Sequence, residues 1–314
     1  MLISSDSVNR LAEYVENRDE VFCSGLFLSA RWMIVSQLDH IGIQMIILPD
    51  RDSAENCAAD LYHLIEGDRV YFLPDSGKNL ERSNYKSSLG VQRTSAIGKI
   101  LEYKEGEQVI VVTYPSALEE VIPEKGRISG SLLKLTVGEE RSYEDIKEIL
   151  FSSGFERVDF VSEPGQFAVR GALIDIFSYS FNNPFRVSFF GDEIESINIF
   201  DCNTQLSKDK VESVEIYPDI CKEMEDEQEG SLVDMLPADT LIWLDSSDMY
   251  KDKEFFSELH KFRRIYMELP LSRQDNETIG FCIQPQPVFN KNFELLTEDI
   301  RKRIEEGYRV RIYG

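Results

Sequence analysis

The strand and helix pattern of this sequence changes twice along the chain, and these two changes constrain the fold more than any other feature. Up to residue 122, short apolar runs alternate with helical patterns, which is typical of a parallel sheet covered by helices. Over 123–218, period-two alternation and tight turns take over, apart from one helix at Tyr143–Ser152. From residue 219 the first pattern returns. The sequence predicts an α/β parallel-sheet domain in two chain segments, 1–122 and 219–314, with a small α+β domain inserted at 123–218.

The charge balance and the cysteine spacing exclude several classes of function. The chain has 34 lysines and arginines against 57 aspartates and glutamates, a formal net charge of −23 that repels phosphate backbones. Its five cysteines are widely spaced without a C-x-x-C pair, which predicts reduced thiols and neither a zinc site nor a disulfide framework. No apolar run approaches the roughly 18 residues of a membrane span, and no leader pattern opens the chain. We expect a cytoplasmic protein with no metal, no cofactor and no membrane contact.

The turn after the first predicted strand has the setting of a nucleotide-binding P-loop without its chemistry. A strand that ends at Gly25 and leads into a helix near Ser29 is where P-loop enzymes hold phosphates on backbone amides. Against G-x-x-x-x-G-K-[ST], this sequence has Ala30 for the second glycine, Arg31 for the lysine and Trp32 for the hydroxyl residue. Trp32 has no oxygen for Mg²⁺, and an arginine fork is bulkier than a lysine ammonium. The sequence predicts a degenerate loop or a plain strand-to-helix turn, and in both cases no catalytic residue.

Three carboxylates are candidates for catalysis or metal binding. Asp245 follows a predicted strand, but it is isolated and does not make a metal-binding acidic pair. Glu163 and Asp175 lie in the inserted segment, where nothing nearby supplies a nucleophile, a metal ligand or an acid/base partner of another type. We interpret Glu163 and Asp175 as structural.

A β-hairpin is the clearest element of the inserted domain. It joins Phe185–Phe190 to a strand from Ile194 across Gly191-Asp192, where glycine supplies the positive φ of a tight turn. In an extended strand Arg186 and Phe190 share the face opposite the apolar one. Arginine beside an exposed aromatic residue is typical of interface hot spots. The alternative is an arginine paired with Asp192 or Glu193 and a phenylalanine in a small side core.

The inserted segment also carries an ordered series of short motifs. They are Glu163–Phe167, Arg170–Gly171, Asp175–Phe177, Arg186–Phe190, Gly191–Glu195, Phe200–Asp201 and Thr204–Gln205. Together they resemble domain 2 of the nucleotide excision repair protein UvrB and of the transcription-repair coupling factors (Mfd). The degenerate turn at Gly25–Arg31 resembles that of the coupling factors, whereas UvrB keeps an intact loop. The coupling factors are therefore the better match, over essentially the whole chain.

This resemblance implies an N-terminal UvrB-like module. Its fold would be a degenerate RecA-like (P-loop NTPase-like) domain in two pieces, interrupted by a domain that binds UvrA through Arg170, Arg186 and Phe190. RNA polymerase binding, DNA binding and an ATP-dependent DNA translocase motor would belong to other domains, and we expect this chain to be a monomeric fragment of that longer bacterial protein. The predicted function is non-catalytic recruitment of UvrA to stalled RNA polymerase in transcription-coupled nucleotide excision repair. The alternative is a UvrB-like ATP-dependent damage-recognition enzyme.

The residue pair Arg170-Gly171 has two interpretations on its own chemistry. It is either a surface arginine beside a bulge glycine or a binding arginine whose neighbour permits close backbone approach. The motif match favours the binding arginine.

Overall fold

A computed structural model describes residues 6–27, 29–38, 41–77, 83–181, 183–220, 229–271, 278–281, 283, 287–308 and 310. Strands and helices alternate through the first segment, as the sequence predicts, and the α/β class is confirmed. The elements of this segment are α1 (Asp6–Asn17), β1 (Glu20–Ser24), α2 (Ala30–Val35), β2 (Ile43–Ile47), α3 (Arg51–Leu64), β3 (Val70–Phe72), α4 (Ser83–Glu102), β4 (Val109–Thr113) and α5 (Pro115–Glu119).

The middle segment consists mostly of strands, and the helix predicted at Tyr143–Ser152 is present with those bounds. Its elements are β5 (Ile122–Pro123), α6 (Lys125–Gly130), β6 (Leu133–Thr136), α7 (Tyr143–Ser152), β7 (Glu156–Arg157), β8 (Gln166–Arg170), β9 (Leu173–Phe177), β10 (Phe185–Phe190), β11 (Glu193–Phe200), β12 (Ser207–Val211) and β13 (Ser213–Ile216).

The last segment returns to alternating strands and helices. The sequence pattern over 252–262 predicts one helix, but the α-helix there is shorter, because its last turn tightens into a 3-10 helix at Leu259–Lys261. The elements are β14 (Glu229–Gly230), α8 (Leu232–Met235), β15 (Leu241–Leu244), a 3-10 turn (Ser247–Met249), α9 (Glu254–Glu258), β16 (Arg263–Tyr266), β17 (Ile279–Gly280) and α10 (Phe293–Glu305).

Within the described residues, seven strands from both outer segments form one parallel sheet in the order β17, β1, β16, β15, β2, β4, β3. Strands β2, β4 and β15 are buried along their whole length, because an apolar core covers each face of the sheet. All strands run in the same direction, so the carboxyl ends of β1, β16 and β15 meet at one edge. Residues from the two ends of the chain are thereby brought together at that edge.

The inserted segment forms a second sheet in the order β12, β11, β10, β9, β8, β7. Its pairs are antiparallel except β7 with β8. Helix α7 and the β6–β13 pair contribute to the apolar core on one face of this sheet. The hairpin of β10 and β11 turns at Gly191, whose φ is +66°, and this prediction is confirmed. The opposite face of the sheet carries the polar residues described below.

Other expectations meet the described part of the chain only partly. The short strands β5 and β14 pair where the chain leaves and re-enters the parallel-sheet half, and the boundaries at 122 and 218 stay predictions. The sequence also predicts a strand over 308–313 and an acidic stretch after Pro218, and both lie mostly outside the described residues. The acidic residues are Glu223, Glu225, Asp226, Glu227 and Glu229. Among the helices that are described, none combines the length and apolar character needed to span a membrane.

Candidate functional site

The outward face of the inserted sheet brings the three predicted binding residues to one side. Arg186 on β10 pairs directly with Asp175 on β9, and Asp175 pairs with Ala168 on β8. Directly paired residues point to the same face, and so does Arg170, which lies two positions beyond Ala168. Along β10 the burial alternates as predicted, with Arg186 half-buried and Phe190 exposed on this face. Because β9 separates β8 from β10, the two arginines approach the Asp175 side chain from neighbouring strands on either side.

A buried carboxylate holds both arginines. Asp175 is 1% exposed, and its two oxygens accept hydrogen bonds from Arg186 Nε at 2.7 Å and Arg186 Nη2 at 2.9 Å. Arg170 Nη2 donates to the Asp175 Oδ2 atom from the other side. The structural interpretation of Asp175 agrees with this geometry, whereas Glu163 is exposed. The predicted alternative that Arg186 pairs with Asp192 or Glu193 is wrong, because antiparallel pairing places Asp175 beside it.

Arg186 is also held by the segment after β11. Its Nη2 donates to Gln205 Oε1 at 3.0 Å, and its Nη1 lies 3.4 Å from the Gln205 carbonyl oxygen. Its guanidinium carbon stands 4.3 Å from the centre of the Phe200 ring, a cation–π distance. The hydrogen bonds to Asp175 raise the pKa of Arg186 against the opposing effect of burial. Arg186 is thus a fixed cation over this part of the sheet.

Arg170 is more open than Arg186. Its side chain is 33% exposed, against 18% for Arg186. Its guanidinium carbon lies 4.8 Å from the ring centre of Phe160, which is itself 61% exposed. The adjacent Gly171 has φ +58° in the turn between β8 and β9, so the predicted bulge at this glycine is wrong.

Phe190 lies at the end of β10 with 78% of its surface exposed. The alternative that this ring fills a small side core is therefore wrong. A small core does exist on this face, formed around Val161, Phe177 and Phe200, but Phe190 is not part of it. The face thus presents an exposed aromatic ring, a second exposed ring at Phe160 and two arginines on one carboxylate.

Sequence reasoning missed Phe160 and the position of Asp175 between the two arginines. Phe160 precedes the matched motifs, in a loop without periodicity, and no local signal distinguishes it from a core residue. Asp175 was noted as part of a motif, but its pairing depends on the register of β9 with β10, which the hairpin turn of β10 and β11 does not define.

At the glycine turn after β1, the backbone of Phe281 packs directly against Gly25. Gly25 has φ +73°, and a Cβ there would overlap the Phe281 carbonyl oxygen, since the Phe281 amide donates to Ser24 O at 2.8 Å. Ser29 Oγ donates to Asp60 Oδ2 at 2.6 Å, and Ala30 begins α2. Position 28 of this turn lies outside the described residues. The backbone geometry matches the strand, glycine turn and helix that the sequence predicts.

The residues that replace the lysine and the hydroxyl of a P-loop are engaged in the fold. Arg31 Nη1 donates to Asp245 Oδ2 at 2.6 Å, across the carboxyl ends of β1 and β15. Asp245 thus has a cationic partner that its sequence context does not indicate, whereas the prediction that it belongs to no acidic pair concerned carboxylates. Trp32 is 4% exposed in the core on one face of the parallel sheet. Burial raises the pKa of the nearby Cys57 thiol, which stays protonated at neutral pH. Arg31 thus pairs with a carboxylate of the fold, and the buried Trp32 has no oxygen to offer Mg²⁺.

Comparisons with known proteins agree with the resemblance seen in the sequence. Residues 133–220 match the family described as the UvrB interaction domain. The transcription-repair-coupling factor of Bacillus subtilis (strain 168) is 30% identical over 206 residues, which are 65% of this chain and 17% of that protein. The protein of the same name from Escherichia coli (strain K12) is 34% identical over 110 residues, 35% of this chain and 10% of its own length.

A third relative, from Mycobacterium bovis, is 29% identical over 203 residues, covering 62% of this chain and 16% of the relative. The chain thus spans about a sixth or less of the length of these curated relatives. The similarity to transcription-repair coupling factors is confirmed, and the matched domain contains the face that carries Arg170, Arg186 and Phe190.

Proposed function

Because residues 133–220 match the UvrB interaction domain and most of the chain is similar to transcription-repair-coupling factors, we propose that this chain is a UvrA-recruiting module. It docks onto UvrA through Arg170, Arg186 and Phe190, and so brings UvrA to stalled RNA polymerase in transcription-coupled nucleotide excision repair in the bacterial cytoplasm. In this proposal, other domains of the longer protein bind RNA polymerase and DNA, and one of them is the ATP-dependent motor. The observation that carries the proposal is the exposed ring of Phe190 on the sheet face that also carries Arg170 and Arg186.

The charge of this face supports a protein partner that offers acceptors. Two guanidinium groups share one carboxylate, so the cluster keeps a net positive charge within a chain of net charge −23. A local positive charge in an acidic chain favours a partner surface that is acidic or rich in carbonyl groups, and it raises the rate of association with that surface. Binding should weaken as salt is raised, because exposed charges are screened.

The parallel-sheet domain acts as a scaffold in this proposal. We assign it as a RecA-like domain whose phosphate loop has lost its function, a monomeric support without catalytic activity in this chain. Arg31 is engaged by Asp245, and Trp32 belongs to the core, which supports this assignment over the UvrB-like enzyme.

The test measures UvrA affinity of the unmodified chain and of Phe190→Ala by calorimetry. We expect the substitution to weaken binding about 30-fold, corresponding to about 2 kcal/mol for an aromatic hot spot. The matched control is Phe151→Ala, since Phe151 is 71% exposed on α7, which packs on the other face of the sheet. Equal affinity of a folded Phe190→Ala protein, or equal loss in the control, would contradict the site.

A further inference from the structure

Asp175 lies beneath the proposed docking face, where it cannot touch a partner. It is 1% exposed, yet the ion pairs of both Arg170 and Arg186 end on its two oxygens. It sits on β9, between the strands that carry the two arginines. One side chain therefore fixes the positions of two cations that belong to different strands.

Arg170 and Arg186 differ in how many of their hydrogen-bond donors are used within the domain. Arg186 uses Nε and Nη2 on Asp175, and Nη2 again on Gln205, while its guanidinium stacks on Phe200. In the described contacts of Arg170, only Nη2 is used, and the guanidinium stands over the exposed Phe160 ring. Donors of Arg170 thus remain oriented and accessible, whereas most donors of Arg186 are used within the domain.

Gln205 supports the same arrangement from the side. It adopts the left-handed conformation, with φ +60°, which is uncommon for a residue other than glycine. The turn is held by Asp201, whose carboxylate accepts from the amides of Asn203 and Thr204 at 3.0 and 2.9 Å. Both the carbonyl and the side-chain oxygen of Gln205 then face Arg186.

We infer that Asp175 is a positioning residue for UvrA docking. It fixes the cation of Arg186 in place on the docking face, and it orients Arg170 over the Phe160 ring so that the free donors of Arg170 meet an acceptor of the partner. This inference rests on the proposed function and assigns the two arginines unequal roles. Pre-organised donors bind more tightly than mobile ones, because less side-chain freedom is lost on association.

Asp175→Asn tests the inference, because it keeps the shape of the side chain and removes its charge. We expect UvrA affinity to fall at least tenfold. In a chain that already carries Arg170→Ala and Arg186→Ala, the same substitution should cause no further loss, since a positioning residue acts only through the groups it positions. Equal or tighter binding by Asp175→Asn, or an equal further loss in the double-arginine background, would overturn the inference.

A second measurement needs no Asp175 variant and remains informative if Asp175→Asn does not fold. Side-chain NMR of the isotope-labelled full chain should show slow hydrogen exchange at Arg186 Nε and restricted guanidinium rotation for both arginines, with signals assigned through the single Arg→Ala variants. Free-arginine exchange and rotation would overturn the inference. Failure of the unmodified chain to bind UvrA would overturn the proposed function and this inference with it, whereas binding that is insensitive to Asp175 would overturn the inference alone.

Discussion

The parallel sheet and the inserted sheet each carry an arginine–aspartate ion pair, but the surroundings of the two pairs differ. At the carboxyl edge of the parallel sheet, Arg31 meets Asp245 at 2.6 Å beside Trp32, which is buried. On the inserted sheet, Arg186 meets Asp175 at 2.7 Å, and Phe190, four residues further along the same strand, is exposed. Within the described contacts, Asp245 pairs with one arginine, whereas Asp175 pairs with two.

The difference shows how surroundings decide whether an arginine serves the fold or a partner. The net contribution of a largely buried ion pair to stability is small, because the desolvation of both charges offsets their attraction. A two-to-one cluster next to exposed rings keeps charge and apolar surface that the domain does not use. At the carboxyl edge of the parallel sheet, Arg31 contacts both Asp245 and Trp32, whereas the inserted sheet exposes Phe160 and Phe190.

Removal of Arg31 gives the largest expected effect on stability. In Arg31→Ala, Asp245, whose side chain is 6% exposed, would be a buried charge without its partner, and the free energy of unfolding should fall by about 3 kcal/mol. Denaturant unfolding measures this change. UvrA affinity of the folded variant should equal that of the unmodified chain, because the docking face lies on the other sheet.

The double substitution Arg31→Leu with Asp245→Leu is the matched control. It removes both charges together, and it should recover most of the lost stability. If the single substitution were harmless, or if it weakened UvrA binding while the chain stayed folded, the contrast between a structural and a binding cluster would be wrong.

The sequence predicts those parts of the fold that local patterns determine. The Phe185–Phe190 alternation identifies the buried and outward faces of β10, because a two-residue period leaves no other choice, and Gly191 marks its turn. The mostly apolar run at 240–244 predicts β15 just as directly, since a strand buried on both faces needs continuous apolar residues.

The charge pairs could not be predicted in this way. Arg31 and Asp245 are 214 positions apart, and they meet only because β1 and β15 belong to one parallel sheet. Arg186 and Asp175 depend on the register of two antiparallel strands, so the only acidic partners that the sequence alone offers Arg186 are the nearby Asp192 and Glu193, as the alternative interpretation had it. Elements follow from local periodicity, whereas their partners follow from topology.

Phe160→Ala should lower UvrA affinity by a smaller amount, and it tests the proposed binding role of the inserted sheet. Loss of the ring under Arg170 removes a cation–π contact of about 1 kcal/mol or less, so UvrA affinity should fall about fivefold. The free energy of unfolding should change by less than about 0.5 kcal/mol, as for other exposed side chains. Calorimetry and thermal unfolding of the variant and of Phe151→Ala check both numbers. An unchanged affinity would remove Phe160 from the docking face.

ATP should not bind at the turn after β1, and this result would support the contrast between a parallel sheet without a ligand and an inserted sheet that binds UvrA. A ligand at 100 times its Kd stabilises the folded state by about 2.7 kcal/mol, which would raise Tm by several degrees. We expect neither a Tm shift nor a fluorescence change at Trp32 with millimolar Mg²⁺-ATP. Asp245→Asn removes the carboxylate that holds Arg31, and we expect no binding there either, because Trp32 still supplies no magnesium ligand and the Phe281 carbonyl oxygen still lies against Gly25. Saturable ATP binding only by Asp245→Asn would show that the Arg31–Asp245 ion pair alone prevents binding. Saturable ATP binding by the unmodified chain would show that the parallel-sheet domain binds nucleotide, against our assignment.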